Sequence, residues 1–270
     1  MSDRLKNIDA VVFDLDGTLI SYPSGLLATK EHHRIMELVI HLKDRLGKRG
    51  ISTYWKVRSG LKNLKDVGIF RMARERSSDF LEALSFFESP DRAVDLKRYG
   101  DALRRTLLNA YLRRVTLYPD VIPCLSTLSS EGFRLGLLSN SPSFICYGAL
   151  DRFEIRQFFD QVSSTWSLKS FKPNPQIFLH MTRQLGVKPE RTLFVGDSMD
   201  CDVQGAKNAG ALSAYLIREH NPLRRRYFSQ EEPDVILRSL DELPPMVRKI
   251  TLRARIERIL KPVLSILRLD

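Results

Sequence analysis

Two aspartates, two residues apart, end an apolar segment near the start of the sequence. Residues 11–20 read VVFDLDGTLI, in which Asp14 and Asp16 follow a run of apolar residues. In an extended chain, residues i and i+2 point to the same side, so the two carboxylates would repel each other unless a cation lies between them. The pair indicates either a cation site or, less specifically, the cap of a turn.

Three further polar clusters follow along the chain. Ser139 and Asn140 come after the apolar run LGLL, Lys172 lies in FKPNPQIF, and FVGDSMDCD contains Asp197 and Asp202. Carboxylates with few competing His or Cys ligands favour Mg²⁺, which binds carboxylates, waters and phosphate oxygens. A hydroxyl, exposed backbone amides and a lysine near a helix start suit an anionic phosphate group. Together these residue types are typical of phosphoryl transfer.

Short apolar runs rich in β-branched residues precede most of these clusters. The runs are IDAVVF, FRLGLL, TLFV and SAYLI. Continuous rather than alternating hydrophobicity predicts strands buried on both faces, as in a parallel sheet. Helix-like stretches lie between the runs, for example DVIPCLSTLSSEGF and NPQIFLHMTRQLG, so we predict an open α/β sheet. Because ligands bind at the carboxyl ends of such strands, we expect Asp14, Ser139 and Asp197 to meet at one edge.

The segment between the first two clusters lacks comparable strand patterns. Stretches such as HHRIMELVIHLKDRL, SSDFLEALSFF and DALRRTLLNAYLRRV have apolar residues at helical intervals. We therefore predict an α-helical cap domain over residues 23–115, inserted in a Rossmann-like α/β core formed by residues 1–22 and 116–245. Residues 246–270 are predicted to form a basic amphipathic C-terminal helix.

The four clusters resemble the four motifs of the haloacid dehalogenase superfamily of phosphatases and phosphotransferases. DLDGT is similar to the first motif, LLSN to the second, KPNP to the third and GDSMDCD to the fourth, and their order and spacing agree over about residues 8–245. The helical insertion stands where phosphatase-type members carry a cap between the first and second motifs. The resemblance implies a cap that closes over the site and selects the substrate.

The resemblance also implies the catalytic roles of the first acidic pair. Asp14 would attack the phosphorus and become an aspartyl phosphate. Asp16 would protonate the leaving oxygen and then activate the water that hydrolyses this intermediate. The dehalogenases of the family lack an acid at the place of Asp16, since a halide needs no proton to leave. Its presence favours phosphate ester chemistry.

Ligand roles are likewise implied by the resemblance. Mg²⁺ would be held by the Asp14 carboxylate, the Asp16 backbone carbonyl and Asp197, with Asp202 in support. Asp200 competes with Asp202, but the motif spacing and the following VQGA favour Asp202. The residues implied to bind the phosphoryl group are Ser139, Asn140 and Lys172.

Two other residues lie near the third and fourth motifs, and five histidines are scattered along the chain. Lys169 lies three residues before Lys172, but the Pro-x-Pro that follows Lys172 favours the latter. Cys201 is expected to be a small packing residue. None of the five histidines is given a role.

The primary hypothesis is a Mg²⁺-dependent phosphatase that hydrolyses a small phosphomonoester. The best single prediction of its activity is one like that of a phosphoglycolate phosphatase. A sugar phosphomutase of the same fold is the second enzymatic hypothesis. A third hypothesis is a non-catalytic scaffold that binds nucleic acid or membrane through a basic surface. The intact acids at positions 14, 16 and 197 argue against a loss of catalysis.

The positive charge of the chain is concentrated in two places. The net charge is +11, and residues 22–118 carry 20 Lys and Arg against 11 Asp and Glu. Residues 246–268 carry 7 against 1. Basic surface attracts anions, and we expect a small phosphorylated metabolite rather than nucleic acid as the partner. The C-terminal helix could bind an anionic membrane or a second subunit, but packing on its own core is favoured.

Three features of the sequence predict a cytoplasmic, reduced protein. No apolar run approaches the roughly 18 residues that a membrane span needs. The start, MSDRLKNIDA, lacks the apolar stretch of a secretory signal. The three cysteines form no C-x-x-C pair, so neither a disulfide framework nor a zinc site is expected.

Overall fold

The computed structural model describes residues 7–21, 105, 108–109, 111–113, 115–165, 167–168, 170–218, 232–252 and 256. The chain divides into two compact units, one formed by Met1–Ser21 with Thr116–Asp270 and the other by Tyr22–Val115. Most of the predicted cap, residues 23–115, and most of the predicted C-terminal helix, residues 246–270, lie outside the described residues.

A six-stranded parallel sheet forms the centre of the first unit. Its strands, in chain order, are β1 (Ala10–Phe13), β2 (Arg134–Ser139), β3 (Gln161–Ser164), β4 (Thr192–Gly196), β5 (Leu212–Leu216) and β6 (Val235–Leu237). Their spatial order is β3-β2-β1-β4-β5-β6, and each neighbouring pair is parallel. The order reverses at β1, which is where ligands bind in doubly wound sheets. The predicted Rossmann-like parallel α/β sheet is confirmed.

Helices connect these strands. They are α1 (Val121–Ser130), α2 (Ser143–Arg152), α3 (Pro175–Leu185) and α4 (Gln204–Asn208), and a single π-helical turn spans Met199–Val203. The start of α3 follows from its sequence, because the Asn174 side chain accepts a hydrogen bond from the Gln176 N–H at 3.0 Å and Pro175 occupies the first turn. Gly186 ends the helix with φ of 68°, a conformation that favours glycine.

The core of the first unit lies between the sheet and its helices. All four residues of β1 are buried, as expected for a strand with neighbours on both sides and helices on both faces. Helix α3 packs Ile177, Phe178 and Met181 into one of the buried clusters. The Phe178 ring meets Phe194 of β4 edge to face, with centroids 4.9 Å apart. This packing fixes α3, and with it the loop that precedes the helix.

Residues 243–252 are helical and pack against the rest of the first unit. Val247 and Ile250 are buried, whereas Leu252 is 56% exposed. The Thr251 hydroxyl donates a hydrogen bond to the Ile8 carbonyl at 3.4 Å. Across the described parts of the chain, no helix has the length and apolar character needed to cross a membrane.

The burial of this segment predicts unequal effects of two neighbouring substitutions. Ile250→Ala should lower the free energy of unfolding by about 2–5 kcal/mol, because it leaves a cavity in the core. Leu252→Ala removes a solvent-exposed side chain and should change it by less than about 0.5 kcal/mol. Urea denaturation followed by circular dichroism measures both. Equal stability of the two variants would contradict the packing.

Candidate active site

The register of the central strands brings distant parts of the sequence to one edge of the sheet. Phe13 of β1 pairs with Leu137 of β2 and with Val195 of β4. The residues that follow these three positions therefore emerge side by side at the carboxyl ends of the strands. Asp14 follows β1 directly, and its N–H donates to the Val195 carbonyl at 2.9 Å. Asp197 follows β4 directly.

Three carboxylates meet at this edge. Asp14, Asp197 and Asp202 each offer an oxygen within 4.8 Å of the others, and Asp197 and Asp202 are buried. Like charges held this close repel strongly away from water. A cation must offset them, and oxygen ligands of this kind suit a hard divalent ion such as Mg²⁺.

Lys172 supplies one positive charge to the cluster. Its ammonium donates to Asp14 Oδ1 at 2.5 Å and to Asp202 Oδ1 at 2.6 Å, and the residue is only 6% exposed. Burial by itself would lower the pKa of Lys172, but the Asp14 and Asp202 carboxylates outweigh that effect and raise it. The ammonium therefore stays protonated and links the first and fourth motifs. Lys172 thus contacts two of the three carboxylates of the cluster.

Burial raises the pKa of Asp14 to about 7. The Lys172 ammonium opposes this rise, whereas the carboxylates of Asp202 and Asp16 add to it. A further cation at the cluster would favour the ionised form of Asp14, which is the form that can act as a nucleophile.

The loop after β1 folds back on itself to hold Asp14. Gly17 has φ of 80°, where a side chain would be strained, and its N–H donates to the Ile20 carbonyl at 2.7 Å. The Leu19 N–H closes the turn on the Leu15 carbonyl at 2.9 Å. The hydroxyl of buried Thr18 lies 3.5 Å from Asp14 Oδ2. This turn explains why glycine and threonine follow the acidic pair.

The Asp16 side chain contacts the loop after the second motif and is not one of the three clustered carboxylates. The Ser141 hydroxyl donates to Asp16 Oδ2 at 2.7 Å. Ser141 is itself held, because its N–H donates to the hydroxyl of buried Ser139 at 3.0 Å and its carbonyl accepts from Ser164 at 2.7 Å. The predicted acid is thus positioned by the loop that carries the predicted phosphate ligand Ser139.

Asn140 connects the second and third motifs. Its side-chain oxygen accepts hydrogen bonds from the Lys172 N–H at 3.0 Å and from the Thr165 hydroxyl at 3.1 Å. The Asn140 side chain therefore positions Lys172, while a role of its backbone N–H in binding phosphate stays a prediction. The competing Lys169 lies outside the described residues.

In the fourth motif, a π-helical turn carries Asp202, and Gly196 leaves room for its carboxyl group. The Ser198 N–H donates to Asp202 Oδ2 at 3.1 Å. A Cβ atom on Gly196 would lie 2.2 Å from the Asp202 carboxyl carbon, so only glycine allows this close approach. Asp200 is half-buried and is not part of the three-carboxylate cluster. Cys201 is also half-buried, and burial raises the pKa of its thiol.

Several residues that support the site were missed by the sequence analysis. Thr18, Ser141 and Thr165 were not singled out, although each directly contacts a predicted site residue. Thr18 is the last residue of the first motif and Ser141 directly follows the second, so the motifs themselves gave the only available signal. Thr165 had none, because its partner Asn140 is 25 positions away.

Comparison with known proteins agrees with this geometry. Residues 8–210 match the haloacid dehalogenase-like hydrolase family. This chain belongs to that family. It is 31% identical over 248 residues to a phosphoglycolate phosphatase of Salmonella choleraesuis strain SC-B67. The aligned residues cover 90% of this chain and 94% of that protein.

Two further relatives support the same family. A glyceraldehyde 3-phosphate phosphatase of Methanopyrus kandleri is 30% identical over 246 residues, covering 90% of this chain and 98% of that protein. The crystal structure of a phosphatase of the family from Thermococcus onnurineus has a TM-score of 0.51 at 27% identity, covering 89% of this chain and 98% of that one. The resemblance seen in the four motifs is confirmed.

The cluster geometry predicts different effects for the two neighbouring acids of the fourth motif. Asp202→Asn should weaken Mg²⁺ binding about 10- to 100-fold, because it removes a charge that contacts Lys172 and adjoins Asp14 and Asp197. Asp200→Asn, the matched control, should bind Mg²⁺ like the unmodified protein. Isothermal titration calorimetry with MgCl₂ measures both affinities. A larger loss of Mg²⁺ affinity for Asp200→Asn than for Asp202→Asn would show that Asp200, and not Asp202, supports the site.

Proposed function

We propose that this hydrolase is a Mg²⁺-dependent phosphatase that cleaves a small phosphomonoester through an aspartyl phosphate on Asp14. The observation that carries the proposal is the convergence of Asp14 with Lys172, Asp197 and Asp202 at one sheet edge. An isolated buried lysine–carboxylate pair would be an ordinary structural contact. Three carboxylates close together, two of them bound to the same lysine, instead form an oxygen-rich cluster that suits a divalent ion.

The donor set of the cluster fits Mg²⁺. Oxygen atoms of Asp14, Asp197 and Asp202 lie within 4.8 Å of one another, and no nitrogen or sulfur ligand joins them among the described residues. Asp14 and Asp197 would hold the ion together with the Asp16 backbone carbonyl, and Asp202 would support it. When bound, such an ion offsets the negative charge of the nucleophile and of the phosphoryl oxygens.

In the first chemical step, a carboxylate oxygen of Asp14 forms a bond to phosphorus while the bond from phosphorus to the ester oxygen breaks. The leaving oxygen takes a proton from Asp16 and departs as an alcohol. In the second step, Asp16 accepts a proton from a water molecule, whose oxygen forms a bond to phosphorus while the bond from phosphorus to the Asp14 oxygen breaks. Inorganic phosphate leaves, and the Asp14 carboxylate is restored. The Ser141 hydroxyl, 2.7 Å from Asp16, holds this acid in place.

Phosphate binding is assigned to Ser139, the Asn140 backbone N–H and Lys172. The Lys172 ammonium remains charged and already contacts the nucleophile, so it can contact a phosphoryl oxygen without moving far. Preorganised donors of this kind stabilise the charge that develops in phosphoryl transfer.

The substrate class proposed is a small phosphorylated metabolite, with a phosphoglycolate-like ester as the first choice. Support comes from the phosphatase relatives, which include phosphoglycolate and glyceraldehyde 3-phosphate phosphatases. A cytoplasmic location belongs to the same proposal. Association of the C-terminal helix with a membrane or a second subunit stays a prediction.

Asp14→Asn tests the proposed nucleophile. Phosphate release should fall to background, because an amide cannot attack phosphorus, while the change in side-chain volume is small. Activity is measured with Mg²⁺ on 2-phosphoglycolate, glyceraldehyde 3-phosphate, a hexose phosphate and p-nitrophenyl phosphate. Asp151→Asn, which changes an exposed acid of α2, is the matched control. Acid quench and mass spectrometry of the unmodified protein should find phosphate on Asp14.

Removal of the divalent ion by EDTA should abolish phosphate release, and added MgCl₂ should restore it.

Undiminished phosphate release by the Asp14→Asn protein would refute the covalent mechanism. Transfer of the phosphoryl group to a hexose hydroxyl, with little free phosphate, would identify a phosphomutase instead. No turnover of any ester would refute the proposed function as a whole.

A further inference from the structure

A second buried ion pair in the first unit is formed by residues that are not part of the three-carboxylate cluster. Arg218, just after β5, donates to both carboxylate oxygens of Asp120, at 2.6 and 3.0 Å. Both residues are 7% exposed. None of the four motifs contains either of them. Their contacts extend toward the catalytic loop and therefore bear on the reaction.

The first of these contacts reaches the loop that carries Asp14. The same Arg218 nitrogen that binds one Asp120 oxygen donates to the Thr18 carbonyl at 2.7 Å. Thr18 is fully buried, and its hydroxyl lies 3.5 Å from Asp14 Oδ2. Arg218 is thus separated from the nucleophile by a single residue.

The second contact reaches the chain that returns from the unit Tyr22–Val115. The Arg218 guanidinium lies 3.9 Å from the centroid of the Tyr118 ring, within the range of a cation–π contact. The Tyr118 N–H donates to the Leu19 carbonyl at 3.1 Å, and the Ser21 N–H donates to the Thr116 carbonyl at 2.8 Å. The segment 19–21, which leads into the unit Tyr22–Val115, is thus paired with the segment 116–118, which returns from it. Arg218 contacts Thr18 before the first segment and Tyr118 in the second.

Asp120 gives the arginine a fixed anchor. It accepts further hydrogen bonds from the Leu240 N–H at 2.8 Å and the Ser239 hydroxyl at 3.0 Å. Burial alone would raise the pKa of Asp120, but the hydrogen bonds from Arg218 and Leu240 outweigh burial and lower it. The pair therefore remains ionised at neutral pH, and the guanidinium keeps one orientation.

Stability alone is a weak explanation for such a pair. Burying two charges costs free energy that their attraction offsets only with good geometry, and apolar replacements of buried ion pairs are often neutral or stabilising. An apolar pair could not donate a hydrogen bond to the Thr18 carbonyl. Arg218 does so while its guanidinium is held by two hydrogen bonds to Asp120. A planar guanidinium makes these contacts at once, and an ammonium does not.

We propose that Arg218 is a positioning residue that holds the Asp14 loop, through Thr18, in register with the returning chain at Tyr118 and Asp120. The inference rests on the proposed phosphatase activity. The hydrogen bonds of Arg218 go to Asp120 and to the Thr18 carbonyl, and not to the proposed phosphate ligands or the acidic cluster. Arg218 therefore acts on the placement of the nucleophile and not on substrate affinity.

Arg218→Lys separates positioning from charge compensation. The ammonium keeps a positive charge beside Asp120, so the melting temperature should stay close to that of the unmodified protein. The ammonium cannot also donate to the Thr18 carbonyl in the same geometry, so the Asp14 carboxylate should be misplaced by about 1 Å. A misplacement of that size should lower kcat about 10- to 100-fold. KM should change less than about threefold, because Ser139 and Lys172 are untouched. Both constants are measured well below the melting temperature.

Arg191→Lys is the matched control. Arg191 pairs with Asp9 at 2.5 Å at the opposite end of β1 and β4, remote from the carboxyl ends of the strands. The same substitution there should leave kcat and KM unchanged. The double variant Asp120→Asn with Arg218→Gln replaces both charges by neutral amides, and it should show the same loss of kcat at unchanged KM. It supplies the measurement if Arg218→Lys fails to fold.

Three outcomes would overturn the inference. A folded Arg218→Lys protein with kcat within twofold of the unmodified protein would show that only the charge matters. An equal loss of kcat in Arg191→Lys would show a general effect of ion-pair loss. An increase in KM that accounts for the whole effect would assign Arg218 to substrate binding. An unmodified protein without activity on any ester would instead refute the proposed function, and this inference with it.

Discussion

The contact of one buried ammonium with two carboxylates is the interaction on which the site depends. Lys172 bridges Asp14 and Asp202, which come from strands β1 and β4 by way of their following loops. Away from water, the repulsion among the carboxylates would open this edge of the sheet if nothing offset it. The remaining structure can be understood as support for that contact. Asn140 holds the Lys172 backbone, and Gly196 leaves room for the Asp202 carboxyl group.

The central strands could be predicted because burial on both faces leaves a continuous apolar signal. All four predicted runs correspond to strands β1, β2, β4 and β5. The two edge strands were missed for the opposite reason. β3 reads QVSS and is largely half-buried, and β6 has only three residues. An edge strand has one neighbour, so its sequence need not be apolar, and its pairing depends on a sheet that already exists.

The acids and the lysine of the site could also be predicted, since strand ends in a parallel sheet share an edge and the motifs mark them. The residues that position them could not. Ser141, Thr165 and Arg218 act through hydrogen bonds to partners far away in sequence, and serine, threonine and arginine are common on any surface. Arg218 did carry one signal, because it follows the predicted strand SAYLI as closely as Asp14 follows β1.

Lys172 and Arg218, the two buried cations among the described residues, have different tasks because their partners differ. Lys172 is a point charge between side-chain carboxylates, so it can shift toward a phosphoryl oxygen as charge moves during the reaction. Arg218 is fixed by a bidentate bond to Asp120 and by a backbone carbonyl, neither of which changes charge. A site for phosphoryl transfer needs both kinds of contact, since electrostatic stabilisation is effective only when the groups that supply it are already in position. In the proposed reaction, Lys172 offsets the charge that develops on the phosphoryl oxygens, and Arg218 keeps the loop that carries Asp14 in place.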